Sequence, residues 1–260
     1  MRLCHDLAPV VRFLERHQPA SLSLLNIISG RTGERPGWVR ADNPADPGAV
    51  LARFRWLYCF SPDPDTGRRL LDRLPVRWQP RFHATPAWAW RHLCRHRQID
   101  WETRCFMYAL TDPRRLRGRS RHRVGPLTPA DAALVAGHWP YGRSPDLILE
   151  RIQHGTSAAV RRDGRPVAWA LTHADGSMGF LHVLAEYRGQ GMARSIGTWL
   201  ARRQLAADTG AFVYIERKNR ASLSLTESMG FERVGEYVWF GTRPRVRPRF
   251  RRPLSTPGAH

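Results

Sequence analysis

Apolar residues in the first 111 positions recur with the three-to-four spacing of helices in some stretches and with the period of two of strands in others. Asp6 to His17 predicts a helix, and Ser21 to Ile28 is an apolar, helix-compatible run. From Arg53 to Phe60 the chain alternates cleanly, which predicts one strand with Phe54, Trp56, Tyr58 and Phe60 on a single buried face. Ser61 to Gly67, S-P-D-P-D-T-G, predicts a turn-rich loop. Pro86 to His96 reads as a helix carrying Trp88 and Trp90, and Thr103 to Leu110 as another strand. The pattern lapses over Asp112 to Arg123, D-P-R-R-L-R-G-R-S-R-H-R, which has the composition of a linker.

A second series follows. Thr128 suits a helix N-cap with Pro129 at the first helical position, and Asp146 to Gln153 predicts a further helix. Ser157 to Arg161 and Pro166 to His173 read as strands joined by the turn Arg162-Asp163-Gly164-Arg165. A strand (Phe180 to Leu184), a helix (Arg194 to Ala207) and a strand (Ala211 to Glu216) come next, and the order over this part is β-α-α-β-β-β-α-β-α-β. After Phe240, Pro and Arg alternate, which predicts an extended or disordered tail. The expected organisation is a mixed α/β unit over residues 1–111, an Arg-rich linker over 112–123, a second unit over 124–243 and a basic tail over 244–260.

The candidate chemistry centres on Phe180 to Ala193, F-L-H-V-L-A-E-Y-R-G-Q-G-M-A, where a strand passes through a short polar turn into a helix. Such a turn aims backbone N–H groups outward at a helix start, where the helix dipole adds partial positive charge. Gly189 and Gly191 let the backbone approach a bulky anion, and Arg188 adds a charge-assisted bond. A pyrophosphate suits this site. The run A-F-V-Y-I-E and then N-R-A-S-L-S-L-T-E-S-M-G-F, from Asn219 to Phe231, follow the helix. With these two motifs in this order, the sequence resembles the GNAT superfamily of N-acyltransferases. Arg188, Gly191 and Ala193 match its acyl-CoA loop, and Asn219, Ser222, Leu225, Gly230 and Phe231 its later helix. L-A-E-Y-R-G-Q-G-M and the longer layout look most like the glycine N-acyltransferase-like branch, and the match covers about Val124 to Thr242.

The resemblance implies an α/β (α+β) fold with a mixed, mostly antiparallel sheet flanked by helices. It also implies a first half that is a degenerate copy of the same fold. It implies acetyl-CoA or another acyl-CoA as co-substrate, with the pyrophosphate on Arg188, Gly189, Gln190, Gly191, Met192 and Ala193. The pantetheine arm would then add to the strand at Leu181, His182 and Val183, where a backbone N–H polarises the thioester carbonyl. The resemblance also assigns the side-chain amide of Asn219 to that arm.

Attack of an amine on a thioester needs a base, and here the chain departs from the family. Ser177, Tyr214 and Thr226 stand at the positions where relatives carry the catalytic Glu, an alternative Glu, and the Tyr that protonates the thiolate. Glu216 shares a strand face with Tyr214 and is the first choice of base. Asp175 or His173, acting through a water bound by Ser177, and His182 are the alternatives, while Glu186 orients the loop or sits in solvent. A covalent acyl-cysteine is not expected, because Cys4, Cys59, Cys94 and Cys105 all precede the cofactor motif. His92 and His96 share a helix face, but no further ligand is suggested, so no metal is expected.

Charge widens the choice of partner. Of 42 basic residues only Lys218 is a lysine, and the formal charge is +20. Six arginines between Arg114 and Arg123 and six between Arg243 and Arg252 carry more than half of it. Such segments attract nucleic acid, acidic surfaces or CoA itself. The absence of C-x-x-C spacing, of an 18-residue apolar run and of a signal-like N-terminus makes the expected location cytoplasmic, with no membrane partner. The expected activity is N-acyl transfer to a small-molecule amine or amino acid. The alternatives are transfer to a protein, or a CoA-binding module whose basic tail docks on nucleic acid.

Overall fold

The computed structural model describes residues 1–118, 120–139 and 144–244. The first half runs β1 (Arg2–Leu3), α1 (Ala8–Glu15), α2 (Leu22–Ser29), β2 (Trp38–Ala41), β3 (Val50–Phe54), β4 (Trp56–Phe60), α3 (Pro64–Leu71), β5 (Arg81–Pro86), α4 (Ala87–His96) and β6 (Arg97–Ala109). The second runs β7 (Val124–Gly125), α5 (Ala132–Gly137), α6 (Pro145–His154), β8 (Ser157–Arg162), β9 (Arg165–Thr172), β10 (Met178–Val183), α7 (Met192–Ala206), β11 (Phe212–Glu216), α8 (Arg220–Ser228) and β12 (Glu232–Pro244). Strand for strand and helix for helix, the two series are the same.

All the strands join one sheet in the order β1-β2-β3-β4-β5-β12-β6-β11-β10-β9-β8-β7. That order maps onto itself when the halves are exchanged, and the exchange is physical at the centre. β6 pairs with β11, closing the second half's strands, and β12 pairs with β5, closing the first half's. The two long strands pair with each other from Glu232↔Ala109 to Pro244↔Arg97. Neighbours are antiparallel except β4–β5 and β10–β11, each parallel and each paired at one register position, Leu57↔Phe82 and Met178↔Val213. The structure is thus the mixed, mostly antiparallel sheet flanked by helices that the sequence led us to expect.

Helices cover both faces because both faces are apolar. Val10, Phe13 and Leu14 of α1 and Leu24, Leu25, Ile27 and Ile28 of α2 pack on Val39, Val50, Tyr58 and Phe60. In the second half Met192, Ile196 and Leu200 of α7 pack on Val160, Val167 and Ala168. Trp169, Leu171 and Phe180 lie on the opposite face under α5 and α6. Each such side chain fully withdrawn from water contributes about 1.5–3 kcal/mol.

Three local expectations need correction. The single strand expected over 53–60 is a hairpin, with Arg55 at a left-handed φ of 52° between β3 and β4. Phe54 opposes Trp56, and Ala52 opposes Tyr58. Directly paired residues point to the same side of a sheet, so the aromatic alternation survives the reversal. Leu51, Leu57 and Cys59 bury the other face as well. The loop expected over 61–67 contains the start of α3, where Asp63 accepts from the N–H groups of Asp65 (3.1 Å) and Thr66 (2.9 Å) and Pro64 takes the first helical position. Turn residues and N-cap residues are the same types, so the sequence pattern serves both. The Arg-rich segment is not a free tether. Arg117 N–H donates to Met229 O at 2.9 Å, and Gly230 (φ 96°) lies so close to the Arg115 carbonyl that a methyl group would collide with it. Arg119 and residues 245–260 of the basic tail lie outside the described residues.

Candidate active site

The β10 strand ends at Val183, Leu184 caps a single 3-10 turn (Ala185–Tyr187), and Arg188, Gly189, Gln190 and Gly191 lead into α7. Gly189 and Gly191 take φ of +76° and +79°, which a side chain would strain, and the space where a Cβ would point is open at both. The N-terminus of α7 has no side-chain cap, so the first N–H groups of the helix point at that opening. This is a cradle that fits a pyrophosphate. The basic segment lies beside it: Arg121 N–H donates to Ser195 Oγ at 3.1 Å, and His122 Nε2 lies 2.8 Å from Gln190 O. Arg188 folds back, its Nε donating to Val183 O at 3.2 Å. The Met192 side chain is buried in the core, so only its backbone belongs to the loop. Gln190 donates to Glu186 O at 3.3 Å, which ties Glu186 to the loop.

Beyond Met178↔Val213 the strands β10 and β11 part. The β9–β10 ladder is interrupted between Gly179 and His182, and Phe180 takes φ of 54°. A bulge turns backbone groups out of pairing. The interruption falls at Phe180 and Leu181, whereas Val183 is paired with Ala168. A cavity of about 630 Å³ opens between the parted strands. Leu181, His182, Glu216 and Asn219 line it from the second half, and Asn219 Oδ1 also caps α8 by accepting from Ser222 N–H at 3.1 Å. Glu216 Oε2 lies 3.6 Å from Lys218 Nζ. The far wall comes from the first half: Trp56, Tyr58, His83 and Trp101, with Trp239 of the exchanged β12.

Residues 158–240 match the family described as FR47-like protein. Among solved structures, the chain is similar to a Drosophila protein at 18% identity, covering 91% of this chain and 88% of that one, with a TM-score of 0.64. It is similar to an acetyltransferase from the GNAT family of Colwellia psychrerythraea (12% identity, 93% and 99% covered, TM-score 0.54). It also resembles a GCN5-related N-acetyltransferase of Sphaerobacter thermophilus (15% identity, 93% of each chain, TM-score 0.52). No curated protein matches its sequence. The chain has the fold of these GNAT acetyltransferases, and within it residues 158–240 carry the FR47-like match.

Two of the expected catalytic residues sit away from the cavity wall. Asp175 and Ser177 are buried in the turn between β9 and β10, and Ser177 Oγ donates directly to Asp175 Oδ1 at 2.6 Å, leaving no place for a bridging water. Ser23 of α2 donates to Asp175 Oδ2 at 2.5 Å, and Asn26 Nδ2 to Asp175 O at 3.0 Å, so the turn docks the halves together. Burial alone would raise the Asp175 carboxyl; His83, His173 and the two serine hydroxyls outweigh it and hold it below its usual value. His173 lines the cavity but is wedged under Gly179, where its ring fills the space of a side chain. His182 stacks on Trp169 at 4.9 Å, and its pKa is lowered by burial, then by His138 and Arg188. Tyr214 lines the cavity with its phenol pushed well above the usual range by burial, then by Tyr237 and Asp175.

The first-half wall, His83 above all, was missed by motif reading, because the signal lies in topology. Phe82, at the single β4–β5 pairing, occupies the place that Val213 holds in β11, so His83 is the counterpart of Tyr214. The rings of these two counterparts meet edge to face, their centroids 6.3 Å apart. The first half's own counterpart of the cradle is closed, since Asp63 supplies the anion that caps α3 and Trp88 packs against Gly67. Elsewhere, Asp72 joins His92 and His96, the ligand atoms of all three lying within 4.8 Å of one another, with His92 Nε2 at 2.7 Å from Asp72 Oδ1. The sequence pairing of His92 with His96 had no third member.

Proposed function

We propose that this protein is an acyl-CoA-dependent N-acyltransferase that transfers an acyl group, acetyl in the simplest case, to a primary amine of a small molecule or amino acid by direct attack in a ternary complex. The observation that carries this reading is the cavity between the halves. Its volume, about 630 Å³, is within the range of small-molecule sites. It joins the parted β10–β11 strands to an aromatic wall built by the other half. A cavity of this size walled by aromatic side chains suits a small acceptor; a polypeptide acceptor needs an open groove.

In this reading Arg188, Gly189, Gln190, Gly191, Met192 and Ala193 hold the pyrophosphate, mostly through backbone N–H groups. Leu181, His182, Val183 and Asn219 line the pantetheine arm, and Glu216 faces the acceptor's ammonium. The first half is a degenerate copy whose anion site is filled by Asp63, and it serves as the acceptor wall; units 1–111 and 124–243 are thus joined through exchanged strands and a docked linker. The L-A-E-Y-R-G-Q-G-M run and this two-copy layout favour the glycine N-acyltransferase-like branch. Cys4, Cys59, Cys94 and Cys105, none of them bridged by a disulfide, suit a reducing, cytoplasmic setting. Among the described residues, no helix is long and apolar enough to cross a membrane.

The test is calorimetric titration with acetyl-CoA and longer acyl-CoAs, followed by thiol release with a panel of glycine, tryptophan, phenethylamine and tryptamine. Saturable binding followed by amine-dependent thiol release is expected. A folded protein that binds none of the acyl-CoAs overturns the reading.

A further inference from the structure

We propose that His83, carried into the site by the first half, is the general base for the acceptor amine, and that Asp175 is the positioning residue that orients its ring. This rests on the acyl-transfer reading above. His83 lines the same cavity as Leu181 and His182, and its side chain keeps 16% of its surface. Tyr58 stacks on its ring at 4.5 Å, and Trp56 (6.0 Å), Trp239 (5.5 Å) and Tyr214 (6.3 Å) surround it. Nδ1 is turned toward Asp175 Oδ2 at 3.8 Å. That carboxylate is pinned by Ser23 and Ser177 and cannot swing away. Nδ1 is beyond hydrogen-bond distance of the carboxylate but within reach of its charge, and Nε2 is the nitrogen assigned to the acceptor.

The titratable groups around the ring are Asp175 and His173 from the β9–β10 turn, Tyr58 from β4 and Tyr214 from β11, with Glu34 and Arg55 acting on Tyr58 from further out. Burial pushes both phenols well above their usual range, so they stay protonated at neutral pH. Asp175 is then the negative charge next to the ring, and it favours an imidazole able to take a proton. The competing bases are less well placed. His173 is wedged under Gly179, His182 lies in the field of Arg188, and the Glu216 carboxylate lies 3.6 Å from the exposed Lys218 ammonium.

Nε2 of His83 takes one proton from the acceptor's ammonium, and the freed lone pair attacks the thioester carbonyl carbon. A C–N bond forms and the C–S bond breaks, its electron pair leaving on sulfur. The second proton lost by nitrogen passes to that thiolate, so the products are the amide, the thiol and a proton on His83.

The experiment compares wild type, His83→Gln, Glu216→Gln and Asp175→Asn as full-length proteins. In the thiol-release assay, His83→Gln is expected to lower kcat about 100-fold or more with acetyl-CoA affinity unchanged. It also replaces the acid limb of the kcat/KM profile set by His83 with one displaced to higher pH, where the amine deprotonates unaided. Independently of turnover, NMR titration of labelled histidines is expected to show His83 titrating between pH 5 and 9. In Asp175→Asn its midpoint is expected about one pH unit lower. A His83→Gln protein with wild-type kcat and an intact acid limb overturns the assignment. A His83 ring that stays wholly neutral or wholly charged from pH 5 to 9 overturns it as well. If wild type itself releases no thiol with any amine, the acyl-transfer reading fails on that panel, and the titration alone decides on His83.

Discussion

Gly191 shows how one residue can carry binding without carrying the fold. Its φ of +79° is a conformation that L side chains resist, while nothing lies within 4 Å of where a Cβ would stand. Replacement by Val therefore costs about 1–3 kcal/mol of local backbone strain but clashes with no neighbour. The new side chain would occupy the opening that the α7 N-terminus faces. Gly191→Val is expected to melt as a cooperative, folded protein a few degrees below wild type, with acyl-CoA affinity reduced at least about tenfold, which calorimetry and a thermal scan measure together. Normal affinity in a folded variant would remove the cradle assignment. Gly191 was readable from sequence because glycine spacing reports backbone conformation. Trp56, His83 and Trp239 were not, since nothing local marks an aromatic side chain as belonging to another half's cavity.

At the scale of elements, the turn between β9 and β10 does more than reverse the chain. Asp175 accepts from Ser23 of α2 and from Ser177, and Gln204 of α7 donates to Gly176 O at 2.7 Å, so this turn is where the halves meet. Asp175→Asn keeps the shape but exchanges a buried carboxylate for a neutral amide whose N–H₂ faces hydroxyl donors. The expected loss is about 2–4 kcal/mol in chemical denaturation. The pH dependence has a definite sign. The folded-state pKa lies below the usual carboxylate value, so the stabilisation is complete above about pH 4 and is lost as pH falls through the lower folded value. Wild type is thus expected to lose stability steeply in that acidic window, and Asp175→Asn to show a shallower limb; identical limbs would mean that the carboxylate is not what holds the turn. Element types over α7, β11 and α8 were legible because caps, glycines and apolar period agree there. The break at Arg55 was not, because paired positions in a tight hairpin preserve the alternation of a single strand. Ser177 reads as a site residue because the resemblance places a catalytic Glu there, and Asp175 because a water on Ser177 would connect it, yet their hydrogen bonds spend both side chains on α2 and the turn.

The whole molecule is divided differently in space and in sequence. A boundary near residue 111 separates two similar series along the chain, but β6 belongs to the second half's sheet and β12 to the first half's. Cutting there leaves the fragment 112–260 without the strand between β11 and β12, exposing two unpaired edges and the apolar faces of Phe212, Tyr214 and Tyr237. Unpaired apolar edges favour aggregation over folding. Residues 1–111 alone would lose β12, on which β5 and the Phe82–Phe240 stack depend. Each fragment expressed alone is therefore expected to be insoluble or to lack a cooperative melting transition. The two co-expressed are expected to associate into one species that melts as a unit and regains acyl-CoA binding. A soluble, cooperatively folding 112–260 fragment that bound acyl-CoA as tightly as the full chain would show that the exchanged strands are dispensable. The first half would then be an accessory to the site rather than one of its walls.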